Sequence, residues 1–325
     1  MNITSIHTAF YYSPYIQYSI AFILLLLFFM RSPRTVLDLE ELVIYSSMFV
    51  LCVVSYINGI SMGYSVNIKP FVLTILLVFL NSRLLPVQYL KYFLYILVAF
   101  LVIEYLIAYS QVIPTFHSNY IRAAGLIRPV GLFLDFHLTS YAIVFSLLVL
   151  GYSKSSGLIS MFFGSYQIVL GWFVAVLGKI KLIYIVISLF FIVLTLYSVG
   201  HFYLGEGSES MLSVLLNILT YDKDYQCFIF GCSTNLDSFT SSEGASVSDF
   251  GYYRILYQFG FLWIVLLIFS LRKYNKLFIL ANIAMWVHYP ISLGILGFII
   301  FIYFLHCIKY KEYIDENKKV KAVTV

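Results

Sequence analysis

The chain has 325 residues and a formal net charge of +5, with 62% of its residues apolar and 11% charged. Ordinary soluble domains run about 45–50% apolar and about 25% charged, so a soluble globular domain, a disordered tail and a fibrous chain are all excluded. Lipid is the solvent that accepts apolar surface on every side of a helix, and at about 20 apolar residues per crossing the length supplies roughly ten crossings.

Apolar runs lie at about 12–30, 42–60, 70–86, 92–113, 138–152, 156–178, 182–200, 251–271, 277–290 and 292–308. No basic residue precedes Arg31 and no small-residue cleavage site follows the first run, so that run is expected to stay as a membrane helix. Basic residues in short loops mark the cytoplasmic side. Arg31, Arg34, Arg83, Lys91, Lys154, Arg272, Lys273, Lys276 and the lysines of the 309–325 tail all fit one side. The loops 114–137 and 200–248 then lie on the other.

One segment breaks the alternation. Lys154 before the 156–178 run and Lys179 and Lys181 after it all ask for the inside, yet the run is too short for two full crossings at about 1.5 Å per residue. A short helical hairpin turning near Gly164, Ser165, Tyr166 and Gln167 resolves the conflict, provided its turn is satisfied within the bundle. The expected architecture is an all-α polytopic membrane protein of about 10–11 transmembrane segments, a single domain over 1–325. Two long external loops carry the chemistry, because the cytoplasmic loops are short.

Cys52 and Cys307 sit in apolar runs and read as small core residues. Cys227 and Cys232 share a polar loop and are able to bridge if that loop faces an oxidising compartment. The first loop holds His117, Arg122, Arg128, Asp135 and His137; the second is rich in Ser, Gly and acids. Arg122, Arg128 and Arg254 fall on the side that should be poor in basic residues. Each alone suits a local ion pair, but as a set they suit bidentate pairing with phosphate.

Histidine can serve as base, phosphate partner or metal ligand. His137 is the strongest candidate, two residues after Asp135 and just before a helix; the alternative is a histidine at the lipid–water boundary. Asp222-Lys223-Asp224 is a D-x-D, as in metal-holding glycosyltransferases, but turn chemistry explains it as well. Glu104 lies inside the fourth run, where a carboxylate must pair or protonate. Asp249 stands near the start of the 251–271 run, as a helix cap or as a group that handles an acceptor hydroxyl. Tyr253 and Arg254 follow it.

Two stretches resemble a known family. Arg122-Ala-Ala-Gly125 followed by Arg128-Pro-Val-Gly-Leu-Phe-Leu-Asp135-Phe-His137 resembles the first large periplasmic loop of bacterial O-antigen polymerases. Phe230-Gly231, then Ser248-Asp249-Phe250-Gly251-Tyr-Tyr-Arg254 and Gln258-Phe259-Gly260, is similar to the end of the second loop in the O-antigen polymerase and ligase superfamily, and His288-Tyr289-Pro290 fits its pattern too. The resemblance implies an inner-membrane enzyme with a cytoplasmic C-terminus that joins undecaprenyl-pyrophosphate-linked oligosaccharides, which serve as both donor and acceptor. It implies no metal, no nucleotide sugar, no cofactor and no nucleic acid, with membrane lipids and a chain-length regulator as further partners.

On that resemblance Arg128 and Arg122 hold the pyrophosphate, with Arg254 and Tyr253 binding substrate from the second loop. Asp249 is the base or positions the acceptor, and Asp135 and His137 are second catalytic candidates. An O-antigen ligase, which hands the glycan to lipid A core, shares the layout. A transporter of lipid-linked glycan is disfavoured, because only Glu104 lies clearly mid-span and no internal repeat is evident.

Overall fold

The computed structural model describes residues 19, 23, 37–81, 89–110, 121–122, 126–127, 131–133, 135–163, 165–177, 225–234, 251–286 and 290–323. Over these residues the protein is all-α, with 11 helices and one two-residue ladder that pairs Ile121 with Ile127 and Arg122 with Leu126. The helices are α1 (Leu39–Ser61), α2 (Lys69–Asn81), α3 (Leu90–Ser110), α4 (Phe136–Leu150), α5 (Ser153–Phe163) and α6 (Tyr166–Val176). They continue with α7 (Tyr225–Phe230), α8 (Gly251–Phe259), α9 (Phe261–Ser270), α10 (Lys276–Met285) and α11 (Ile295–Val323). The expected spans at 12–30 (residues 19 and 23 apart) and 182–200 lie outside the described residues, as do Lys179 and Lys181.

Among the described residues one helix, α1, is long and apolar enough to cross a membrane; Lys69–Asn81, Phe136–Leu150, Gln167–Val176, Phe261–Ser270 and Lys276–Met285 are apolar but shorter. Asp38 caps α1 by accepting from the Glu41 N–H at 2.7 Å, and Glu40 and Glu41 in the first turn interact favourably with the positive end of the helix dipole. Its inward stripe is Ile44, Tyr45, Met48, Cys52, Ser55 and Gly59. The opposite face is apolar as well, with Leu42, Val43, Val50, Ile57 and Ile60 exposed. Trp263 donates to Thr74 Oγ1 at 3.0 Å, and Thr74 lies 3.4 Å from the Cys52 sulfur, which ties α1, α2 and α9 together mid-bundle.

The hairpin forms. Helices α5 and α6 run antiparallel, with Trp172 Nε1 donating to Ser153 O at 3.2 Å and Ser156 Oγ at 2.9 Å. Gly157 lets the indole lie flat on α5, since a Cβ there would meet the ring at 2.6 Å. The first arm ends at Phe163 and the second begins at Tyr166.

Two expected boundaries are corrected. The 251–271 run is two helices, because Gly260 adopts φ 83 and ψ 151, a conformation that only glycine adopts readily. The 277–290 run ends as a helix at Met285. Helix α11 carries the 292–308 run and continues unbroken into the 309–325 tail, to Val323.

The bundle has two unlike ends. At one, Arg272 pairs with Glu40 and Lys273 with Glu41, and Lys311 donates to Val149 O at 2.5 Å. Tyr274 donates to Asn81 at 2.8 Å, and Asn81 in turn donates to Tyr45 at 2.7 Å. Lys154, at the start of α5, belongs to this basic end. The C-terminus of α1 and the N-termini of α4, α6 and α9 lie at the other end.

Replacement of Gly260 by alanine tests the helix break. A Cβ there would stand 2.3 Å from Phe230 C and 2.4 Å from Gly231 N. Backbone strain and overpacking together should cost about 3 kcal/mol. A lower thermal midpoint and poorer yield in detergent are expected, and unchanged melting would place the break elsewhere.

Candidate functional site

The segment 131–137 is anchored from α3. Glu104 is buried, 7% exposed, and its Oε2 accepts the Gly131 N–H at 2.6 Å. Gly131 has φ 62, and a Cβ on it would strike Thr139 at 2.6 Å. The short 3-10 turn Gly131–Phe133 therefore sits directly on the first turn of α4. The buried Glu104 carboxylate has the structural role of holding a loop backbone in place.

Asp135 is the cap of α4. Its Oδ1 accepts from His137 N at 2.8 Å and Leu138 N at 3.1 Å, which satisfies two of the helix's four unpaired amides. Burial pushes its carboxyl above the usual range, partly offset by the bonds from Leu138 and His137. His137 is half-buried against Phe136, and its Nδ1 lies 2.8 Å from Gln167 Nε2. Gln167, 0% exposed, comes from the hairpin turn, as does Ser165, 4% exposed. The Ser165 hydroxyl has no hydrogen-bond partner, which in a buried place costs about 1–3 kcal/mol.

The second stretch folds onto the ends of α1 and α2. Phe230-Gly231 and Phe259-Gly260 meet backbone to backbone, since a Cβ on Gly231 (φ 83) would come within 2.7 Å of Phe259 C. Cys232 N donates to Tyr257 O at 2.7 Å, and Asn67 N donates to Ser233 O at 2.7 Å. Ser55 and Ser233 share a hydrogen bond of 2.8 Å. Gln258 donates to Asn67 Oδ1 at 3.3 Å and accepts from Lys69 at 3.4 Å. Cys227 and Cys232 form a disulfide with Cα atoms 5.0 Å apart, so the open alternative for this pair resolves as a bridge. Arg254 is half-buried on α8, one turn before Gln258.

The structure thus brings Asp135 and His137 together with Glu104 and Gln167, and sets Arg254 beside the Ser55–Gln258 cluster at the same end. Arg122 lies in the two-residue ladder and Tyr253 in α8. Arg128 and Asp249 lie outside the described residues, as do His7, His117, His201, His288, Asp222 and Asp224. Gln167 is the residue whose part the sequence concealed: it was legible only as a turn residue, although a lone amide in an apolar hairpin needs a partner. Among the described residues no three of His, Cys, Asp and Glu gather where a metal could bind. A shallow apolar groove between Leu158, Met161 and Trp172 lies on the hairpin's flank and includes Lys154 of the basic end. No protein-family model, no curated protein and no solved structure matches this chain.

Asp135 yields a double test. Asparagine caps as well as aspartate, whereas alanine should cost about 1 kcal/mol of stability. The raised carboxyl also means that the folded protein holds this proton more tightly than the unfolded chain does. Its contribution is present below the ordinary carboxylate pKa and is lost as pH rises through the raised folded value. Melting curves of Asp135→Asn should lack that part of the wild-type pH dependence, and parallel curves would contradict the buried setting.

Proposed function

We propose that this chain is a polytopic inner-membrane glycosyltransferase that polymerises undecaprenyl-pyrophosphate-linked oligosaccharide repeat units into a surface polysaccharide of the O-antigen kind, on the periplasmic face. The observation that carries it is that the described parts of the two motif-bearing stretches, 131–133 with 135–137 and 230–234 with 251–260, lie at one end of the bundle, opposite the basic end. A disulfide at that same end suits an oxidising compartment. The apolar faces turned away from the bundle suit lipid. On this reading the chain has about 10–11 membrane segments, two of them the short arms of the hairpin, with 114–137 and 200–248 periplasmic and the C-terminus cytoplasmic.

In the reaction, the acceptor sugar's hydroxyl oxygen attacks the anomeric carbon of the donor glycan. The bond from that carbon to the pyrophosphate oxygen breaks, and undecaprenyl pyrophosphate leaves with the electron pair. Arg128 and Arg122 neutralise the charge gathering on the leaving group, with Arg254 assisting. Asp249 takes the hydroxyl proton. Tyr253 contributes to sugar binding, and Asp135 orders the start of α4. An aspartate at 249, where related ligases commonly carry a histidine, favours the polymerase over the ligase.

The test is a gel profile of surface lipopolysaccharide from a deletion strain, with the gene restored as wild type, Arg128→Lys or Asp249→Asn. Core capped by a single repeat unit is the expected deletion phenotype, with the ladder recovered only by wild type to full length. Bare core with polymer accumulating on carrier lipid would mean a ligase. An unchanged ladder would overturn both activities for that glycan. Full-length polymer from Arg128→Lys would remove the bidentate role, and from Asp249→Asn the base.

A further inference from the structure

The groove on the hairpin's flank has a chemistry of its own. Lys154, Leu158 and Met161 stand at i, i+4 and i+7 of α5, which sets them in one stripe along that helix. Trp172 and Val176, one turn apart on α6, form the other wall. The indole nitrogen is committed to Ser153 O and Ser156 Oγ, so what the ring adds to the groove is apolar carbon surface. The groove measures about 520 Å³, within the about 300–1,000 Å³ of ordinary ligand pockets.

Its lining is apolar along the hairpin and cationic where it ends. Leu158 and Met161 are 72% and 63% exposed, so they do not serve the packing of the bundle. Lys154 is exposed in the first turn of α5, and a lysine stem lies well along an apolar floor with its ammonium at headgroup level. Tyr152, exposed just before that turn, is the kind of aromatic residue found at the same level. Among the described residues no acid lines the groove. The complementary occupant joins an apolar chain to a negative group at one end. A water-soluble anion would leave the floor uncovered, and an uncharged chain would leave the cation unused.

We propose that this groove binds a monoanionic phospholipid of the cytoplasmic leaflet, with the phosphate on Lys154 and an acyl chain along Leu158, Met161 and Trp172. The site rests on the membrane part of the proposed function and not on its glycan-transfer chemistry. It lies towards the basic end of the bundle, away from the segments that carry the candidate catalytic residues. Its lysine therefore both marks the cytoplasmic side and selects the lipid that covers the hairpin there.

Brominated acyl chains quench tryptophan at short range, and the chain has three tryptophans. Trp263 and Trp286 are buried, 1% and 3% exposed, so Trp172 is the one that a chain in the groove would reach. Purified full-length protein is reconstituted into phosphatidylcholine vesicles. These carry a small fraction of either phosphatidylglycerol or phosphatidylcholine brominated near the headgroup end of one chain. The wild type should prefer the brominated phosphatidylglycerol by about fivefold, the worth of one basic residue beside anionic lipid. Lys154→Gln should remove the preference. Lys91→Gln, at an exposed lysine of α3 outside the groove, should keep it.

Equal quenching by the two headgroups in the wild type, or a preference that survives in Lys154→Gln, overturns the site. Quenching by neither lipid means that protein and not lipid covers the groove, which overturns it as well. Protein that does not float with the vesicles contradicts the membrane reading on which the site rests. If the wild-type gene restores no polymer to the deletion strain but the headgroup preference holds, the polymerase reading alone fails and the lipid site stands.

Discussion

The irregular backbone described at the loop end of this bundle is closed by specific hydrogen-bond partners, and the candidate site is a consequence of that constraint. The Gly131 amide goes to Glu104 of α3. Those of His137 and Leu138 go to Asp135, and those of Asn67 and Cys232 go to the carbonyls of Ser233 and Tyr257. An apolar surround supplies no such partners, so the irregular segments are drawn inward and onto one another. The same requirement seats Gln167 on His137. Polar groups that serve backbone closure and groups suited to substrate are therefore neighbours, and in Asp135 closure of the helix end is the role on display.

Much of this arrangement is legible from charge alone. Lys154, Lys179 and Lys181 cannot share a side unless 156–178 turns back, and α5 and α6 do fold against each other around Trp172 and Gly157. Glu104 announced itself as an intramembrane carboxylate needing a partner, although its partner, a backbone amide 27 residues on, was not legible. The Cys227–Cys232 spacing allowed a bridge without requiring one. What escaped the sequence depends on backbone conformation and long-range contact. Hydropathy across 251–271 is continuous, and nothing in it shows that Gly260 takes a glycine-only conformation in order to lie on Phe230 and Gly231. Likewise α11 outlasts its apolar run because a lysine-rich sequence is also a good helix former.

The two ends of the bundle divide the work. Arg272, Lys273, Lys309 and Lys311 meet acids, aromatic rings and a helix-end carbonyl at the basic end, an arrangement suited to orientation and anchoring. The opposite end is closed largely by neutral hydrogen bonds among Ser55, Asn67, Ser233 and Gln258. The arginines of the first loop and Arg254 are the cations a pyrophosphate would meet on the proposed reading.

The most direct measurement is reconstitution. Purified protein in nanodiscs is mixed with a fluorescently labelled undecaprenyl-pyrophosphate-linked repeat unit, with no nucleotide sugar and no added metal, and the products are resolved by chain length. The account predicts a ladder of longer glycans together with stoichiometric release of undecaprenyl pyrophosphate. Repeat units that stay unjoined, while the wild-type protein still binds the labelled lipid, would contradict it.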